Sequence, residues 1–117
     1  TFYEIDKDGN KSTRVVGSNY EVVAGSNYVN VKGDVNLTID TNCNTYIKGD
    51  WNIQVDGSKT EVVTGAVSET YKDTKTETVT GAVSETYEAN QTTNITGTLD
   101  LDASSEIDMD AGTINMN

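Results

Sequence analysis

The chain has 117 residues, room for one modest domain. Its 19 acidic and 8 basic residues give a net charge of −11, with no histidine. That balance argues against nucleic-acid binding, which needs clustered Lys and Arg to displace counterions, and against docking on anionic lipid. Cys43 is the single cysteine, so the chain cannot close a disulfide on itself. No apolar run approaches the roughly 20 residues of a membrane-spanning helix. There is no signal-peptide pattern, and a chain opening on Thr1 reads as a piece of a longer protein. Leu, Ile, Val and Phe total 24 of the 117 residues, close to the level at which a chain is too lean for its own core. Composition therefore predicts that something beyond a one-chain core holds the fold together.

The glycines carry the pattern. Gly9, Gly17, Gly25, Gly33, Gly49, Gly57, Gly65, Gly81 and Gly97 share one register of eight. The positions that register leaves without glycine hold Thr41, Asp73, Ala89 and Ser105, and only Gly112 is out of phase. With glycine at slot a of an octad lettered a to h, slot g holds Val15, Val23, Val31, Ile39, Ile47, Val55, Val63, Tyr71, Val79, Tyr87 and Ile95, followed by Ala103 and Ala111. Lys7 is the polar exception. Slot b holds turn formers in the first half, among them Asn10, Ser18, Ser26, Asp34 and Asn42. Most remaining apolar side chains fall at c (Val35, Trp51, Val67, Val83, Leu99, Ile107) or e (Val29, Leu37, Ile53, Leu101, Met109).

Slots c, e and g are two apart, so on a strand they share one face while b, d and f take the other. Val, Ile, Thr and Tyr favour strands, no proline interrupts a ladder, and no helical period is present. In chain order, residues 1–8 are expected to be a lead-in strand. Residues 9–97 are expected to be an octapeptide-repeat β-helix, each octad one short strand from b to g with a glycine bend between strands. Residues 98–117 are expected to be its C-terminal tip. The segment TGAVSETY occurs at Thr64–Tyr71 and again at Thr80–Tyr87, a duplication of two octads that keeps the register.

An eight-residue unit buries nothing alone. Either one chain coils with three octads to a turn, or three chains wind about a common axis, each supplying every third strand on each face. Glycine spacing does not separate the two. The absence of a 24-residue period at c and e, and the almost uniform Val or Ile at g, favour three chains. Strands ~4.8 Å apart would then stack into a prism roughly 65–70 Å long.

The glycine, then Asn, Ser or Asp, then Val or Ile six residues after the glycine, resembles the C-terminal β-helix of the central spike of contractile-tailed phages. The segments TFYEIDKDGN, STRVVGSNYEVVAGSNYVNVKG and KGDVNLTI are similar to the start of that β-helix in the baseplate hub family of tail-associated lysozymes. The spike proteins of type VI secretion systems are related. The resemblance implies an all-β fold, an intertwined homotrimeric triple-stranded β-helix or β-prism. It implies a virion protein of the tail baseplate, a needle driven through the host outer membrane on contraction. The implied partners are two further copies, other baseplate hub proteins, the outer membrane transiently, and a tip cap of the PAAR-repeat type. The oligonucleotide/oligosaccharide-binding and lysozyme domains that precede the prism in the family are not in this sequence. The His-x-His iron site of some spikes has no counterpart, because the chain has no histidine.

On the residues themselves, the g-slot series is expected to be core and the nine in-register glycines structural bends. Leu101, Ile107, Met109, Ile114 and Met116, with Leu99, are expected to form a packed tip suited to a cap. Glu61, Glu69, Glu77 and Glu85 at e, with Lys59 and Lys75 at c, would face inward. Pairing between chains or a hydrated interior is the expected outcome, with bound ions or waters as the sharper alternative. Cys43 and Trp51 at c read as core filler, and Tyr20 and Tyr28 at d as an outward aromatic ladder. Asp100, Asp102, Asp108 and Asp110 read as an outward acidic collar. No nucleophile–base pair, metal-ligand spacing or phosphate loop is present, so no enzyme activity and no cofactor are expected. The functional expectation is a membrane-piercing needle. The alternative is the β-solenoid receptor-binding head of a trimeric tail fibre or adhesin.

Overall fold

A computed structural model describes the whole chain, Thr1–Asn117. It divides into two units, Thr1–Lys59 and Thr60–Asn117.

The first unit opens with a hairpin. β1 (Phe2–Ile5) and β2 (Lys11–Arg14) pair antiparallel, with Phe2 opposite Arg14, Tyr3 opposite Thr13, Glu4 opposite Ser12 and Ile5 opposite Lys11. The loop sequence Asp6-Lys7-Asp8-Gly9-Asn10 explains the turn. The Gly9 N–H donates to the Asp6 carbonyl at 3.1 Å, and the Asp6 N–H donates to the Asn10 carbonyl at 3.0 Å. Gly9 has φ +83°, in the left-handed region that a side chain makes costly, so a tight turn followed by glycine closes the two strands. The Asp6 carboxylate ties the loop down. One oxygen accepts from the N–H groups of Asp8 and Asn10, and the other from the Asn10 side-chain amide, all at 2.9 Å. The Asn10 side chain, then the Asn10 N–H, hold the Asp6 carboxyl below the usual Asp value, burial opposing them, with Asp8 and Gly9 adding in the lowering direction. Across the strands, the Lys11 ammonium lies 5.1 Å from the Tyr3 ring centroid.

Beyond Arg14 the first unit has no further ladder. The backbone runs in short stretches broken by bends at Val16–Gly17, Ala24–Gly25, Lys32–Gly33, Asp40–Thr41, Lys48–Gly49 and Asp56–Gly57. The second unit repeats this at Thr64–Gly65, Lys72–Asp73, Thr80–Gly81, Glu88–Ala89, Thr96–Gly97 and Ser104–Ser105, with a last bend at Gly112. Gly112, out of phase by glycine count, sits in slot h, the first position of the other bends.

Two features differ from the sequence expectation. Residues 1–8 are not simply a lead-in strand: β1 folds back on β2, and Gly9 is a hairpin residue, not one more octad bend. Nor does the lone chain make each octad a hydrogen-bonded strand, because β1 and β2 are its two strands; the octad strands expected of three wound copies belong to the assembly. The physical reason is local. A strand needs a neighbour ~4.8 Å away to exchange hydrogen bonds, and an octad that turns away at each end offers itself none. The lone chain likewise encloses no core of its own, since every side chain is exposed. The chain presents 13369 Å² to solvent. A folded monomer of its mass would present about 6,200 Å².

A candidate assembly face

Exposure along the octads is graded by slot. Side chains at g from Val15 to Ile95 are 36–56 % exposed, whereas apolar ones at c and e from Val29 to Met109 are 51–78 % exposed. Tyr20, Val22, Tyr28, Tyr46 and Val62, at d and f, are 84–94 % exposed. Alternation along an extended backbone separates c, e and g from d and f. The g side chains, next to the bends, are the least exposed of the three. Each octad from Val15 to Ile95 thus keeps a partly shielded apolar side chain at g, joined at c and e by apolar residues in some octads and polar ones in others, and nothing in the chain completes its cover.

The glycines at the bends behave unlike Gly9. None of them has positive φ, and a Cβ built on any of them meets no atom within 4 Å. The same bend forms at Thr41, Asp73, Ala89 and Ser105, which have side chains. Bending alone therefore does not require glycine here. At Asp73 the bend has its own support, as the carboxylate accepts the Thr74 N–H at 2.7 Å.

Charges also lie on the c, e and g face. Lys75 at c reaches Glu77 at e at 4.0 Å, and its ammonium lies 5.1 Å from the ring centroid of Tyr71, the g residue before the bend. Both partners of the ion pair are more than half exposed, so in the lone chain it contributes little. The remaining glutamates of the series, Glu69 and Glu85, sit at the same slot, as does Glu61 beside Lys59. Cys43 is exposed.

At the C-terminal end, Leu101, Ile107 and Met109 keep the exposure of c and e positions. Ile114 is about half exposed, while Met116 at d is 85 % exposed, like the outward residues. No pocket is enclosed, and no group of three or more acidic or cysteine side chains converges as metal ligands would. The sequence reading missed the hairpin, although the Asp-Lys-Asp-Gly-Asn turn between two alternating runs signals one. No family model, curated protein or solved structure matches the chain.

Proposed function

We propose that the chain is one strand of an intertwined homotrimeric β-prism, the membrane-piercing needle of a phage tail-baseplate central spike. The observation that carries this reading is the apolar series at g, recurring with the same intermediate exposure octad after octad and left uncovered by the chain itself. Two identical copies supply what the lone chain lacks: strand neighbours for each octad and apolar partners for each g residue. The bend glycines add support. Nothing within one chain calls for them, and glycine without local need costs conformational entropy. A second backbone passing close to the bend gives them a reason.

The function is mechanical. Each apolar side chain buried at g contributes about 1.5–3 kcal/mol, and three copies repeat it at every level. A wound strand leaves only by breaking all of its ladders, so the assembly resists unfolding kinetically and carries axial load. The C-terminal apolar residues Leu101, Ile107 and Met109 present a surface for a PAAR-type cap, and the opposite end meets other baseplate hub proteins. The segment itself performs no catalysis in this reading.

Light scattering tests the assembly: a mass of about 38 kDa, three times 12.6 kDa, is expected, and a single-chain mass overturns it. Unboiled sample is expected to run as a trimer in SDS. Immunogold labelling of tail particles tests the placement, with gold expected at the baseplate tip. Gold along fibres favours the second reading, a receptor-binding head, for which the exposed Tyr20 and Tyr28 rings on the outward face are the motive.

A further inference from the structure

A needle of uniform octads has a register problem, and this inference rests on the trimer reading above. If one copy slides by eight residues, Val or Ile still meets Val or Ile at g over Val15–Val63, with mismatches around Tyr71 and Tyr87. If it slides by 16, TGAVSETY at Thr64–Tyr71 comes to lie at the level of its own duplicate at Thr80–Tyr87. The g series in the middle of the assembly therefore discriminates poorly between alignments. Something that does not repeat has to choose one.

We infer that the Thr1–Arg14 hairpin is the register mark, formed within each copy and deciding which octads of the three copies lie level. It holds the one ladder that a single chain makes for itself. Its loop is closed by backbone bonds and by the Asp6 carboxylate, and Gly9 has a backbone conformation found at no other residue of the chain. It is thus ordered before a partner arrives. It also changes what a partner meets. A mid-needle octad offers two open edges, but β2 has one edge already taken by β1. A copy displaced by one octad would set an open-edged octad against this closed one and strand backbone N–H and C=O groups without partners. Aligned hairpins avoid that loss in all three copies at once.

The test places a thiol outside the prism, using Thr60→Cys at slot d with Cys43→Ser. In level copies the three thiols lie on three different faces and cannot join. A one-octad offset puts two of them on neighbouring strands of one face, ~4.8 Å apart, within disulfide reach. A second chain, in which residues 17–24 are duplicated in tandem, moves the thiol one octad away from the hairpin. The two chains are denatured together, refolded and oxidised. If hairpins set the register, disulfides join the parent to the lengthened chain. If mixed trimers form and no such disulfide appears, the C-terminal end sets the register and the inference is overturned. Gly9→Val in the parent thiol chain is the second variant, since valine does not tolerate φ +83°. Disulfide-linked slipped trimers, or loss of assembly, are expected. Trimers as free of disulfide as the parent overturn the inference. A single-chain mass for the parent itself would sink the trimer reading instead, so the two failures are told apart.

Discussion

The hairpin and the octads solve the same problem in opposite ways. Thr1–Arg14 satisfies its backbone within itself: Asp6, Gly9 and Asn10 close a loop, and β1 supplies β2 with a partner. From Val15 onward the chain has the same strand-forming residues and regular bends, but no ladder and no buried side chain. The difference lies in the turn. A glycine in the left-handed region reverses the chain, so that it meets its own preceding strand. The octad bends have no positive φ and return no strand onto its predecessor. A periodic sequence can therefore be well ordered in its bends and still depend on other molecules for its interior.

The largest effect should separate the two regions outright. In the proposed trimer, Val55→Asp places a carboxylate on the inward face, where an uncompensated buried charge would cost about 3–5 kcal/mol per copy. Light scattering should report loss of the three-chain mass, while NMR still shows the Phe2–Arg14 and Ile5–Lys11 pairings. If the trimer persists, the apolar face is not its core. Next comes Gly57→Ala. In a lone chain, with negative φ and open space, this change is expected to stabilise by about 0.4–1 kcal/mol. Against a neighbouring backbone it overpacks, at about 1–3 kcal/mol per copy. A lower melting temperature for the assembled protein supports close approach at the bends, and a higher one removes it.

Gly9→Ala acts on the other region. Forcing a side chain into the left-handed conformation costs about 1–2 kcal/mol, and cross-strand NOEs between Tyr3 and Thr13 should weaken. The smallest effect is with pH. The Asp6 carboxyl titrates lower in the hairpin than in the open chain. The open chain thus binds more protons in that window, and hairpin stability rises with pH across it. The contribution is complete above the ordinary Asp value of about 3.9 and is lost as pH falls through the lowered value. Amide exchange at Asp8 and Asn10 should accelerate over that acid range. Asp6→Asn should flatten the dependence, and an unchanged profile would remove Asp6 as its source.

Much of the molecule's rhythm can be read from the residues. The glycine register and the valines two positions before each following glycine mark where the chain turns and which face is apolar. Thr41, Asp73, Ala89 and Ser105 carry the same bend because its φ suits any residue. The reason for the glycines is not readable in the same way. Chain-bending capacity explains Gly9, whereas at Gly17 or Gly57 the structure shows neither strain nor crowding, which shifts the explanation to a neighbour. The hairpin was legible in Asp6–Asn10 but hidden by the period, which counts Gly9 as one more member of the series. The number of copies is not written locally at all. It depends on which surfaces meet, and eight-residue spacing serves a one-chain coil and a three-chain wind equally well.

The uncovered inner face has a kinetic consequence for the cell that makes this chain. In the proposed trimer there is no interior until three copies meet, so maturation would be a reaction of high molecularity whose speed falls steeply on dilution. Newly made chains are then best served by siblings emerging from adjacent ribosomes on one messenger. Scarce expression would leave them open to proteases and chaperones for longer.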